Sequence, residues 1–137
     1  MSGIVVGYDG SNSAKAALEQ AIGLAKELVD SVVIVFGYAA RGYEGGAMTA
    51  QRDAIKEHAE KVTAEATETA RAAGVDSEVV LVPEKGAEAL SDLAAQRKAR
   101  MIVVGTHGES TLRGAMLGST AHTLVHIAET PVLIVRL

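Results

Sequence analysis

Two kinds of apolar pattern alternate along the chain. Short runs rich in β-branched residues read as five strands: Gly3 to Tyr8 (GIVVGY), Ser31 to Tyr38 (SVVIVFGY), Val79 to Val82, Met101 to Gly105 (MIVVG) and Val132 to Arg136. Between the first two, Ala14, Ala17, Leu18, Ala21, Leu24, Ala25 and Leu28 mark one face of a helix from Ser13 to Val29. Thr49 to Ala73, broken off by Gly74, Ala87 to Arg97 and Ser119 to Ala128 read as three further helices. Glu57 and Lys61 in the second stand at helix-supporting spacing. Ala39 to Ala47 holds Gly42, Gly45 and Gly46 and reads as a loop.

Strict alternation of strand and helix predicts an α/β fold, an open five-stranded parallel sheet with helices on both faces. At 137 residues with no linker, repeat or low-complexity tract, one domain over 1–137 is expected. Open sheets of this kind bind ligands beyond the carboxyl ends of their strands. Those ends are Tyr8 to Ser11, Gly37 to Tyr43, Pro83 to Gly86 and Gly105 onward.

Composition narrows the functional classes. Hydrophobic residues make up 48% and charged residues 22%, the balance of an ordinary globular domain. Aromatic content of 3% with no Trp leaves few rings on which nucleobases could stack. A net charge of -4 without a basic stripe argues against a duplex or an acidic membrane as partner. Without cysteine there is no disulfide, thiol nucleophile or thiolate metal site. The first residues lack a charged region followed by an apolar one, so the cytoplasm is the expected compartment.

The stretch Gly105 to Ser119 (GTHGESTLRGAMLGS) joins the fourth strand to the fourth helix and is rich in small and hydroxyl residues. Gly105 and Gly108 are expected to permit positive φ and the close approach of a ligand, and Gly118 and Ser119 stand where a helix begins with unpaired N–H groups. Such a surface suits phosphate. From 101 to 137 there is no Lys, and the cations are Arg113 and Arg136, so a P-loop is ruled out; the dinucleotide fingerprint is absent too. Anion affinity would come from backbone amides, the helix dipole and the hydroxyls of Thr106, Ser110, Thr111, Ser119 and Thr120, with Arg113 as the available cation. Hydrogen bonds to a charged group contribute roughly 1.5–3 kcal/mol each and micromolar binding needs about 8 kcal/mol, so phosphate contacts alone are marginal. Asp9, at the end of the first strand, offers a second point: it accepts from a ribose or base, or it closes the turn and caps the first helix with Ser11 or Ser13.

With these residues in view the chain resembles the universal stress protein family, in its ATP-binding branch. That family's signature, a glycine, two residues, a glycine, nine residues, then glycine and Ser or Thr, is matched by Gly105, Gly108, Gly118 and Ser119. Ile4 to Ser11 (IVVGYDGS), the segment from Gly86, the MIVVG strand and Thr130 to Val135 (TPVLIV) are similar as well. The resemblance implies strand order 3-2-1-4-5, a Rossmann-like sheet, and an adenine nucleotide across strands one, two and four. It would place Gly7, Tyr8 and Asp9 at the adenosine end and Gly37 near the adenine, where members often carry Val. Gly105, Thr106, His107 and Gly108, followed by Glu109, Ser110 and Thr111, would meet ribose and phosphates, and Gly118, Ser119, Thr120 and Ala121 the phosphate tail. Gly114 and Arg100 also depart from common family choices. The implied ligand is ATP, with or without Mg2+, and the implied assembly is a homodimer paired through strand 132–136.

The expected function is thus a small ATP-binding stress-response regulator with an unidentified protein partner. Two rivals stay open: a slow ATP hydrolase or phosphotransferase in the same pocket, and a dimeric protein-interaction module that binds no nucleotide. His107 reads as a loop residue rather than an acid or base, and no catalytic residue is assigned. His122 and His126 have metal-pair spacing but no evident third ligand; they are expected to border the buried stripe of their helix or to face solvent, and no metal site is assigned. His58, among charged residues, reads as solvated.

Overall fold

The computed structural model describes residues 2–37, 47–83, 86–106 and 117–137. Among these residues nine elements alternate: β1 (Ile4–Gly7), α1 (Asn12–Leu28), β2 (Val32–Gly37), α2 (Ala47–Ala72), β3 (Ser77–Val82), α3 (Ala87–Arg97), β4 (Met101–Gly105), α4 (Ser119–Ile127) and β5 (Val132–Val135). The strands form one sheet in the order β3-β2-β1-β4-β5, and every pairing is parallel, as expected.

Strand periodicity distributes the core between two faces. Ile4, Val6, Val32, Ile34 and Val103 point toward α1 and α2, where they meet Ala17, Leu18, Ala21, Ala66 and Ala70. Val5, Val33, Val35, Ile102 and Val104 point the other way, against Leu90 and Ala94 of α3 and Ala121 and Leu124 of α4. Burial on both faces is why these strands are nearly unbroken apolar runs. Alanines on the helices let them lie close to the sheet.

Most element ends differ from the sequence reading by one or two residues. β3 begins at Ser77 rather than Val79, because Ser77 and Glu78 pair with Val32 and Val33 although neither is apolar. α2 begins at Ala47, within the stretch read as a loop; the remainder of that loop lies outside the described residues. β5 ends at Val135, one residue early. These ends are set by backbone pairing, which side-chain hydrophobicity reports only indirectly.

At the amino ends of the strands, Asp30 ties distant segments together. Its buried carboxylate accepts hydrogen bonds from the N–H of Gly3 at 2.9 Å and of Ser31 at 2.8 Å, and from Arg100 Nε at 3.0 Å. Burial alone would raise its pKa, but the Ser31 N–H, the Arg100 guanidinium and the Gly3 N–H together hold it below the ordinary value of 3.8. Arg100 also donates its own N–H to Gly3 O at 2.8 Å, so this departure from family habit has a structural partner. No helix among the described residues is long and apolar enough to cross a membrane.

Candidate functional site

The carboxyl ends of β1, β2 and β4 carry Gly7, Gly37 and Gly105, and the turn after β1 meets the start of α1 beside them. That turn is closed by its own side chains. Asp9 Oδ1 accepts the Ser11 N–H at 2.9 Å, and Ser11 Oγ accepts the Ala14 N–H at 3.1 Å as the N-cap of α1. Gly10 between them has φ +83, and a Cβ there would come within 2.9 Å of Val62 Cγ1 on α2, so both conformation and space demand glycine. Of the two roles open to Asp9, turn closure is therefore occupied through one oxygen.

Tyr8 contributes to the rim chiefly through its main chain, whose N–H donates to Val35 O at 2.9 Å. Its side chain is only 5% exposed and packs in the core on the α1 and α2 side of the sheet. Desolvation by that burial, followed by the nearby carboxylates of Glu65 and Asp9, raises the phenol pKa above its ordinary 10.0. The phenol borders a groove of about 260 Å³ between α1 and α2, lined also by Lys15, Glu19, Glu65 and Thr69.

Gly105 was expected to free the backbone for positive φ and for a ligand, and the structure assigns it another job. It is not among the described glycines with positive φ, and a Cβ on it would lie 2.0 Å from Ser13 Oγ and 2.7 Å from Ser13 O. The first turn of α1 sits directly on the end of β4, and only glycine leaves room. Gly7 is similarly confined, with Leu90 Cδ1 and Val104 Cγ1 each 3.0 Å from a Cβ placed there. Sequence reasoning found these glycines but missed their packing role, because no local pattern links position 105 to position 13.

The start of α4 contrasts with that of α1. Its N-cap is Gly118, with φ -63 and ψ 162, no side-chain cap and no acidic residue in the first turn. Gly118, like Gly105, lies outside the positive-φ region. Gly118 N–H donates to Thr106 O at 2.6 Å, and His122 N–H donates to Gly118 O at 2.9 Å, the first bond of the helix. The N–H groups of Ser119, Thr120 and Ala121 therefore precede the intrahelical ladder, with the hydroxyls of Ser119 and Thr120 beside them. Meanwhile Thr106 N–H donates to Val135 O at 3.2 Å, which anchors the other arm of the signature on β5.

Thr106 and Gly118 thus join two arms of one motif across twelve positions of sequence. Gly37 closes β2 opposite Val82. His107, Gly108, Glu109, Ser110 and Thr111, together with Arg113, lie outside the described residues. Among the described residues no group of three His, Cys, Asp or Glu side chains is arranged to hold a metal ion. The arrangement presents a hydroxyl-rich helix N-terminus, positive by its dipole, next to a rim of strand ends.

Comparison with known proteins accords with this geometry. Residues 1–136 match the model of the universal stress protein family. A universal stress protein of Thermus aquaticus is 36% identical, with 97% of each chain covered. Among solved structures, a universal stress protein in complex with cAMP is 32% identical, with a TM-score of 0.77 over 97% of this chain and 95% of that one. Universal stress protein UspA from Lactobacillus plantarum, at 21% identity, superposes with a TM-score of 0.87 over 98% of this chain and 97% of that one, a likeness of fold.

Proposed function

The chain belongs to the universal stress protein family, and from that premise we propose that it is a cytoplasmic stress-response regulator that binds an adenine nucleotide, ATP in particular, and works as a homodimer. The observation that carries the reading is the open N-terminus of α4, held beside the end of β4 by the bond from Gly118 N–H to Thr106 O. Three uncapped N–H groups and two hydroxyls are the donors a phosphate tail needs where no lysine is at hand. The related structure with cAMP supports an adenine ligand.

In this reading Ser119, Thr120 and Ala121 take the phosphate tail, and Gly105, Thr106, His107, Gly108, Glu109, Ser110 and Thr111 line the ribose and inner phosphates. Asp9 uses Oδ2 on the ribose, since Oδ1 already serves Ser11. Tyr8 takes part through its main chain, and Gly7 and Gly37 form the floor near the adenine. Dimerisation uses β5, which is hydrogen-bonded to β4 at one edge of the sheet and presents Leu133 with 37% exposure.

Calorimetry with ATP, AMP, cAMP and GTP, with and without Mg2+, tests the ligand. ATP should bind more tightly than GTP, and Gly118→Ala should weaken ATP by about tenfold, which is 1.4 kcal/mol. The backbone of Gly118 suits alanine, so the variant should fold, and unchanged affinity in it would remove the tail from this site. No heat with any nucleotide would favour the interaction module, and ADP formed above a protein-free control would favour the hydrolase. For the dimer, sedimentation velocity of Leu133→Lys should show monomer where the unaltered chain sediments as a pair.

A further inference from the structure

The outer face of α4 carries a feature that nucleotide binding does not use. His122 and His126 stand one helical turn apart, both exposed, while Ala121 and Leu124 take the buried face. The sequence left two positions for these histidines, and the structure selects solvent. Their ring centroids are 5.0 Å apart with the planes tilted by 60°, so the imidazoles are neighbours without lying in a parallel stack.

This separation carries a chemical meaning. A zinc ion binds an imidazole nitrogen at about 2.0–2.1 Å, which puts the ring centroid roughly 3.2 Å from the metal. Two imidazoles at a tetrahedral angle then have centroids about 5.2 Å apart, whereas a right angle gives about 4.5 Å. The observed 5.0 Å falls between these two values, within the span that one shared ion requires. We propose that His122 and His126 form a two-ligand site for a borderline divalent cation of tetrahedral preference, Zn2+, on the solvent face of α4. No described set of three His, Cys, Asp or Glu is arranged to hold a metal, so water completes the coordination. Chelation by two side chains of one helix favours the ordered helix over the frayed one. The site is independent of the nucleotide reading and does not share its donors.

Calorimetric titration of the full chain with Zn2+ alone tests the proposal. One ion should bind per chain, and His122→Asn and His126→Asn should each abolish that binding, while His58→Asn, at an exposed imidazole on α2, should leave it intact. Zn2+ should also raise the Tm of the unaltered chain, reversibly with EDTA, and fail to do so in either α4 variant. No Zn2+ binding, affinity in either α4 variant equal to that of the unaltered chain, or a loss confined to His58→Asn would each overturn it.

Discussion

The N-termini of α1 and α4 meet the same rim of the sheet and have nearly the same backbone at the cap, φ -69 and ψ 162 at Ser11 against φ -63 and ψ 162 at Gly118. They differ in who satisfies them. At α1, Ser11 and Asp9 supply oxygen to the local N–H groups within four residues of chain. At α4 the cap is a glycine with no side chain to offer, and its own N–H donates to the carbonyl of Thr106. One end carries a side-chain cap of its own; the other has none. The lesson is that a glycine at an N-cap is informative by what it withholds as much as by the space it leaves.

Substitutions can break or sharpen this contrast. The largest effect is expected from Gly105→Ala, which drives a methyl into Ser13, including its backbone oxygen, so that the α1 end cannot keep its seat. A loss of roughly 3 kcal/mol or more in urea unfolding is expected, above the usual range for overpacking because backbone atoms cannot rotate aside. A stable Gly105→Ala variant would show that α1 is not held against β4 in this way.

Asp30→Ala comes next and acts at the opposite pole of the sheet, as a control for specificity. Removing the carboxylate strands the N–H groups of Gly3 and Ser31 and the Arg100 guanidinium. The expected cost is about 2 kcal/mol, less than for a fully buried pair because the Arg100 side chain is 40% exposed. The folded state holds Asp30 ionised below its ordinary value of 3.8, so its stabilisation is complete above that pH and is lost as the pH falls further. Acid titration of stability should therefore fall less steeply in the variant, and its nucleotide affinity should equal that of the unaltered chain.

Ser11→Ala removes the cap of α1 and should cost about 1 kcal/mol in thermal or urea unfolding. The smallest change in stability is expected from the converse experiment, Gly118→Ser, which gives α4 the cap that α1 has. Its backbone already suits serine, so stability should rise by a few tenths of a kcal/mol. Nucleotide affinity measured by calorimetry should fall, because the new hydroxyl engages an N–H that a phosphate would otherwise take. Unchanged affinity together with higher stability would mean that the two helix ends differ in capping but not in function.

Much of this molecule was legible in the sequence. Alternating runs of Val and Ile with Ala-rich helical faces specified nine elements in order, and the signature from Gly105 to Ser119 marked the strand end and helix start that the fold brings together. Asp9, Gly10 and Ser11 were readable as a turn with a cap, since every bond they make is local. The pairing of Asp30 with Arg100, seventy positions apart, was not readable, and neither was the contact that forces glycine at 105. Local periodicity and turn chemistry report on neighbours in sequence, so they determine what each segment becomes and which residues stand at its ends. Only the closed tertiary structure decided which of those residues is small because another backbone lies against it and which because its donors are left open, for that depends on segments whose approach no single stretch of chain encodes.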